Sequence, residues 1–313
     1  MAREKIIIDT DPGQDDAVAM LLAFASPGEI EVLGVTAVAG NAPLHLTELN
    51  ARKICELAGR PDAKVFAGCD RPLFLDLHTA PEVHGDTGLD GPDLPEPTMP
   101  LQERHAVDFI IDTLRTEPAG SVTLCPLGPL TNIATALTRA PDIAARIRRI
   151  VLMGGAQWEG GNSSPVAEFN IFVDPHAAQI VLTSGVEIVM FPLDVTHQVL
   201  TAQHQMDRVR AIPGPVGRVT YEMLDFYRRY DEAKYGTDGG PLHDPCVIAW
   251  LLRPDLFVGR QVNVEVETAS TLTIGQTVVD RWGTTGRPKN VLYMLKADAE
   301  GFFDLLVERL ARL

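Results

Sequence analysis

Four aspartates fall within one short stretch near the start of the chain: Asp9-Thr10-Asp11-Pro12-Gly13-Gln14-Asp15-Asp16. Two like charges about 4 Å apart repel by roughly 4 kcal/mol at an effective dielectric of 20. A helix start returns only roughly 0.3–1 kcal/mol per negative charge. Capping a helix therefore does not account for the cluster. A hard divalent cation held by carboxylate oxygens does. The spacing is not that of an EF-hand loop, which needs Gly at its sixth and Glu at its twelfth position.

Further stretches could carry chemistry. His243-Asp244-Pro245 opens an apolar run, CVIAWLL. Asp244 there is either a helix N-cap or a metal ligand, and His243 beside it is a candidate proton donor. In Gly161 to Asn170, Glu168 and Asn170 could bond ligand hydroxyls from one side of an extended segment. Taken alone, that stretch reads as an ordinary surface loop. His84, in His84-Gly85-Asp86-Thr87-Gly88, sits in a long loop and is either part of a flexible turn or a lid residue meeting substrate. The run from Tyr221 to Tyr235 carries Phe226, Tyr227 and Tyr230, aromatics that form core or interface, or a wall for a flat ring. Asp194-Val195-Thr196-His197 reads as turn and packing chemistry.

The elements that must position these residues alternate. The apolar run Ile6-Ile7-Ile8 predicts a buried strand, Pro12-Gly13 a turn, and Ala17 to Ala25 a helix whose first turn holds Asp15 and Asp16. Strands are expected at 31–39, 64–67, 121–125, 149–153 and 187–191. Helices are expected at 44–58, 104–116, 129–139, 174–184, 201–210, 216–234, from 243 and at 298–310. Asp174-Pro175 is an N-cap followed by Pro at the first helical position. Residues 261–267 and 271–279 are expected to pair as an antiparallel hairpin. No element is assigned between Val279 and Asp298. Residues 68–100 form a long Pro, Gly and Asp-rich loop, of the length that often serves as a lid. This β-α alternation predicts an α/β fold: a single domain over 1–313 with a central, mostly parallel sheet flanked by helices. In such sheets ligands bind beyond the carboxyl ends of the strands. Asp11, Asn41, Leu127-Gly128 and Met153-Gly154 all fall there.

Composition excludes some partners. The chain has 313 residues and a net charge of −15, which argues against binding to nucleic acid or an anionic membrane surface. No apolar run approaches the roughly 18 residues of a membrane span. Cys55, Cys69, Cys125 and Cys246 are scattered and form no C-x-x-C, so a reducing, cytoplasmic setting is expected. The short lead Met-Ala-Arg-Glu-Lys before the first strand is read as leaving no room for a signal peptide.

Taken in chain order, these segments resemble the inosine-uridine-preferring nucleoside hydrolases, with a Rossmann-like nucleoside hydrolase fold. The resemblance is carried by DTDPGQDDAVAM (Asp9–Met20), VAGN (Val38–Asn41), VHGDTGL (Val83–Leu89), LGPLTNIA (Leu127–Ala134), VLMGGA (Val151–Ala156), GNSSPVAEFNIFVDPHAA (Gly161–Ala178) and PLHDP (Pro241–Pro245). It implies Ca2+-dependent hydrolysis of the N-glycosidic bond of ribonucleosides. It implies that Asp11, Asp16, the Leu127 carbonyl oxygen and Asp244 hold the Ca2+. Ribose contacts fall on Asp15, Asn41, Asn162, Glu168 and Asn170, with Met153 lining the sugar site and Asp9 bracing the turn. Asp11 becomes the base toward the attacking water, and His243 meets the departing nucleobase with His84 near it. Tyr227 and Tyr230 are expected along the base. The small-molecule nucleoside is the expected partner, and the resemblance points to a homo-oligomer, dimer or tetramer. Two other classes answer the aspartate cluster: a HAD-like phosphohydrolase with Asp9 or Asp11 as nucleophile, and a non-catalytic Ca2+-dependent nucleoside or sugar binder. The first lacks a convincing downstream Lys and acidic pair. The second does not use a His243-Asp244 pair.

Overall fold

Strand β1, Glu4–Thr10, shows how the fold is built. Its Ile6 and Ile8 enter one hydrophobic core and Ile7 enters another, as the period of two requires. A strand buried on both faces reads as a continuous apolar run, and further strands follow it along the chain. They are β2 (Ile30–Ala37), β3 (Val65–Ala67), β4 (Val122–Pro126), β5 (Ile147–Met153), β6 (Ile188–Phe191), β7 (Phe257–Val266), β8 (Thr277–Asp280) and β9 (Val291–Ala297). The computed structural model describes residues Arg3 to Leu313.

The nine strands form one sheet in the order β3-β2-β1-β4-β5-β6-β9-β7-β8. All pairings from β3 through β9 are parallel. The β9–β7 and β7–β8 pairings are antiparallel. Chain direction of travel reverses between β1 and β4, and this is where an open α/β sheet leaves a crevice beyond its strand ends. Asp11 follows β1 and Leu127 follows β4, so both stand at that point.

Helix Gln14–Phe24 is buried along its whole length. Its sequence, apolar all round after the two aspartates, permits that. It packs against helices Leu44–Leu57, Gly214–Tyr235, Pro245–Leu252 and Ala299–Leu310. The first turn of a helix so enclosed cannot solvate its carboxylates. Its Asp15 and Asp16 are therefore committed to whatever the strand ends hold against them.

The predicted hairpin is present, but with a longer first strand and a second strand that begins only at Thr277. Strand β9 has no counterpart in the sequence reading. VLYMLKA is a short apolar run whose periodicity does not separate strand from helix. Within the predicted loop at 68–100, Pro81–His84 forms one helical turn. Glu168 and Asn170 do not share an extended segment. Glu168 caps a short helix, Phe169–Val173, by accepting from the amides of Asn170 (2.9 Å) and Ile171 (3.3 Å). Among the described residues no helix is long and apolar enough to cross a membrane.

Candidate active site

The aspartates separate by role once the strand ends are in place. Asp9, the last but one residue of β1, turns away from the cleft. Its Oδ1 accepts from Thr36 Oγ1 (2.5 Å) and Asn132 Nδ2 (2.8 Å), tying β1 to β2 and to helix Thr131–Arg139. Burial lifts its carboxyl to about 7.

Asp11 lies where backbone closes in from both sides. A side chain at Gly40, after β2, or at Gly128, after β4, would collide with its carboxylate. These two glycines are needed for that approach. Its Oδ2 accepts from the Asn41 amide at 2.7 Å. Its Oδ1 is buried with no hydrogen-bond partner among the described residues. An orphaned carboxylate oxygen of this kind is costly unless a cation or proton meets it.

Asp16 is held firmly. It accepts from Thr10 Oγ1 (2.5 Å), the Gly13 amide (3.0 Å) and Asn41 Nδ2 (3.2 Å). Carboxylate oxygens of Asp15, Asp16 and Asp244 lie within 4.8 Å of one another, and all three residues are buried. Burial, and then mutual repulsion, raises Asp15 to about 8 and pushes Asp11 and Asp244 well above the carboxylate range. Asp244 begins helix Pro245–Leu252 but its side chain makes no capping hydrogen bond. The helix-cap explanation of Asp244 therefore fails, and its carboxylate is turned to the other acids. Such an all-oxygen donor set fits a hard divalent cation. Asp15 stands in the trio while Asp11 faces it from β1 as a source of repulsion, so the acids form one site drawn from both ends of the chain.

Above these acids opens a cleft of about 300 Å³. It is lined by Asp15, Asn41, His84, Leu127, Met153, Asn162, Glu168, Asn170, Tyr227, Tyr230, His243 and Asp244, as the sequence reading expects of a site. Asp11 and Asp16 are not in its lining and lie beneath it. Asn170 Nδ2 donates to the Leu127 carbonyl oxygen at 2.6 Å and approaches that of Met153 at 3.3 Å. Glu168 also accepts from the Gly155 amide at 2.9 Å, and its burial raises it to about 7. Asn162 accepts from the Phe169 amide at 2.9 Å, which leaves its amide nitrogen for a ligand.

Two histidines face the same cleft. His84 is buried and its ring stacks on Tyr227, with centroids 5.7 Å apart. Desolvation lowers it to about 3. His243 is pushed well below the usual histidine range by burial, helped by His197 and His84. Both rings are therefore neutral near pH 7. A neutral imidazole still polarises a leaving group through its N–H.

Sequence reasoning missed several supporting residues. Thr196 is not mere turn chemistry: its Oγ1 lies 2.7 Å from His243 Nδ1. The neighbouring His197 ring is 5.8 Å from His243. Asp194 accepts from the consecutive amides of Gln157 (2.9 Å), Trp158 (2.6 Å) and Glu159 (3.0 Å), and from Tyr293 Oη (2.5 Å). It thereby fixes the loop leading to Asn162 and Glu168. Asp231 and Lys234 reach the cleft from helix Gly214–Tyr235. They share a face with Tyr227 and Tyr230, a signal that the three- and four-residue spacing offers once the helix is oriented.

Comparison with known proteins agrees with this geometry. The profile of the inosine-uridine preferring nucleoside hydrolases matches residues 6–304. The pyrimidine-specific ribonucleoside hydrolase RihA of Shewanella sp. (strain MR-7) is 50% identical over 307 residues, spanning 98% of this chain and 96% of its own. A purine-preferring ribonucleoside hydrolase from Gardnerella vaginalis superposes with a TM-score of 0.91 at 33% identity, covering 98% of each chain. A plant nucleoside hydrolase superposes with the same score at 32% identity and 99% coverage of both. With an acid cluster beneath a cleft at the sheet's switch point and likeness along nearly its whole length, the chain belongs to the inosine-uridine preferring nucleoside hydrolase family.

Proposed function

We propose that this N-ribohydrolase acts on pyrimidine ribonucleosides, with Ca2+ held by Asp11, Asp16, the Leu127 carbonyl oxygen and Asp244. The observation that carries the reading is the buried acid cluster directly beneath a cleft walled by two neutral histidines. The pyrimidine preference is supported by the name and 50% identity of the Shewanella relative, against 33% for the purine-preferring structure. The reading treats residues 1–313 as one domain, in a homo-oligomer. Four free cysteines support a cytoplasmic setting.

A bound Ca2+ supplies two things: ligation for ribose hydroxyls, and acidification of a water. The remaining work falls to the chain. Asp11 accepts the proton of the attacking water. Its Oδ1, buried and without a hydrogen-bond partner among the described residues, supports that role. Cleavage of the C–N bond leaves an oxocarbenium-like sugar. Asp15, Glu168 and Asn170 line the cleft around it and stabilise positive charge in a water-poor site. The electron pair departs with the base. His243, held through Nδ1 by Thr196, meets that charge from its other nitrogen.

Uridine, cytidine, inosine and 2′-deoxyuridine assayed for free sugar and base test this directly. Uridine and cytidine are expected to be cleaved at least about tenfold faster than inosine, a difference of roughly 1.4 kcal/mol. The 2′-deoxynucleoside should be nearly inert. Nucleoside binding without turnover would replace this reading with that of a binding protein. Phosphate release from UMP without base release would replace it with a phosphohydrolase.

A further inference from the structure

We propose that Gln14 locks His84 in the Nδ1–H tautomer, so that His84 offers its Nε2 lone pair to the nucleobase and selects bases carrying an N–H donor. The proposal rests on the nucleoside reading above for its substrate class, and on the following contacts for its mechanism.

Gln14 is fully buried at the start of helix Gln14–Phe24, between the turn and the two aspartates. Its Nε2 donates to two backbone carbonyl oxygens, those of Asp90 (2.9 Å) and His84 (3.2 Å). Turning the amide over would set its own carbonyl oxygen against both. The amide orientation is therefore fixed by its surroundings. Its Oε1 then faces His84 Nδ1 at 2.7 Å. A carbonyl oxygen only accepts, so Nδ1 must carry the hydrogen. Burial opposes a second proton on the ring. What is left is Nε2 with a free lone pair.

That lone pair is directed to the substrate space. His84 lines the cleft, and Nε2 has no partner among the described residues and is not among the sealed, unpartnered atoms. Stacking on Tyr227 fixes the ring plane. A second acceptor lies in the same cleft: the carboxyl of Asp231, which burial raises only to about 6 and which is thus mostly ionised at neutral pH. Lys234 lines the same cleft beside Asp231, so the preference for a base edge that donates rests on the His84 Nε2 lone pair itself. His84 so placed is not a proton source for the leaving group, and that task stays with His243. Gln14 is a positioning residue, acting on the base through His84.

The test is a nitrogen–carbon NMR correlation of the histidine rings in the full-length enzyme at pH 7, with His84→Asn used to assign the signal. The neutral Nδ1–H form is expected for His84 in the wild type. Gln14→Leu should lose it. In kinetics, Gln14→Leu should raise KM for uridine about tenfold while kcat changes less than about threefold, the scale of one hydrogen bond. The wild type should prefer uridine to 3-methyluridine, which lacks the N3 hydrogen, by about tenfold. Gln14→Leu should shrink that preference to below about threefold. An Nε2–H tautomer in the wild type, an unchanged Nδ1–H tautomer in Gln14→Leu, or equal use of uridine and 3-methyluridine by the wild type would overturn the proposal. Absence of any nucleoside cleavage by the wild type would instead sink the functional reading, with the tautomer still measurable.

Discussion

Thr196 Oγ1 lies 2.7 Å from His243 Nδ1 and fixes a ring that lines the cleft. Thr196 belongs to a short helix after β6, and His243 precedes helix Pro245–Leu252. Two distant elements thus converge on one imidazole. Thr196→Val removes the contact and keeps the volume. We expect kcat on uridine to fall about tenfold, with p-nitrophenyl riboside changed less than about twofold because its leaving group needs little protonation. Equal losses on both substrates would show that Thr196 does not act through the leaving group.

Asp194 gathers three consecutive amides and a tyrosine hydroxyl. Asp194→Ala strands four donors in a half-buried setting. Each buried unsatisfied group costs about 1–3 kcal/mol. Urea unfolding should show a loss of at least about 2 kcal/mol, together with a raised KM from a loosened Asn162 to Glu168 loop. Wild-type stability and KM in this variant would contradict the assigned anchoring.

Asp11→Asn separates chemistry from folding. A general base contributes about 10²–10⁴ in rate, and kcat should fall within that range. Calorimetry without divalent cation should find the variant at least as stable as the wild type, because a buried charge has been removed.

The pH dependence of stability follows from the raised acids. Burial lifts Asp15 to about 8 and Asp11 and Asp244 well above the ordinary range. Between about pH 4, where unfolded aspartate ionises, and about pH 8, where Asp15 ionises in the fold, the native chain holds more protons than the unfolded one. Stability of the cation-free protein must then fall as pH rises. Every tenfold difference in proton affinity is worth about 1.4 kcal/mol. Ligand carboxylates must deprotonate to bind metal, so the stabilisation by Ca2+ should grow over the same window. Melting curves in chelator and in excess Ca2+ at pH 5, 6, 7 and 8 check this. A Ca2+-induced rise in Tm that does not change with pH would contradict it.

Much of the site was legible because its parts sit on regular elements. Ile6 to Ile8 announce β1, and the Pro-Gly turn places Asp15 and Asp16 in a first helical turn, as found. What escaped notice depends on long-range partners. Asp194 and Thr196, which follow β6, look like loop residues until the segment after the neighbouring β5 brings its amides and the segment before helix Pro245–Leu252 brings the His243 ring to them. Glu168 reads as part of an extended stretch because nothing local announces a helix of only five residues. β9 is missed since its apolar run is shaped by two neighbours, β6 and β7, that are far away in sequence. Gln14 sits between Gly13 and Asp15 with no local feature to mark it, and only the folded loop from His84 to Asp90 gives its amide two carbonyls to hold.

If the buried acids at the sheet's switch point hold a cation needed for ribonucleoside cleavage, stripping that cation must stop turnover. The most direct test is ribose and uracil release from uridine by enzyme stripped with chelator and then titrated with Ca2+, in the wild type and in Asp244→Asn. Turnover should be lost on stripping, restored by Ca2+ with sugar and base in equal amounts, and not restored in Asp244→Asn. Full turnover in excess chelator, or restoration of Asp244→Asn to wild-type rates at the same Ca2+ concentration, would contradict it.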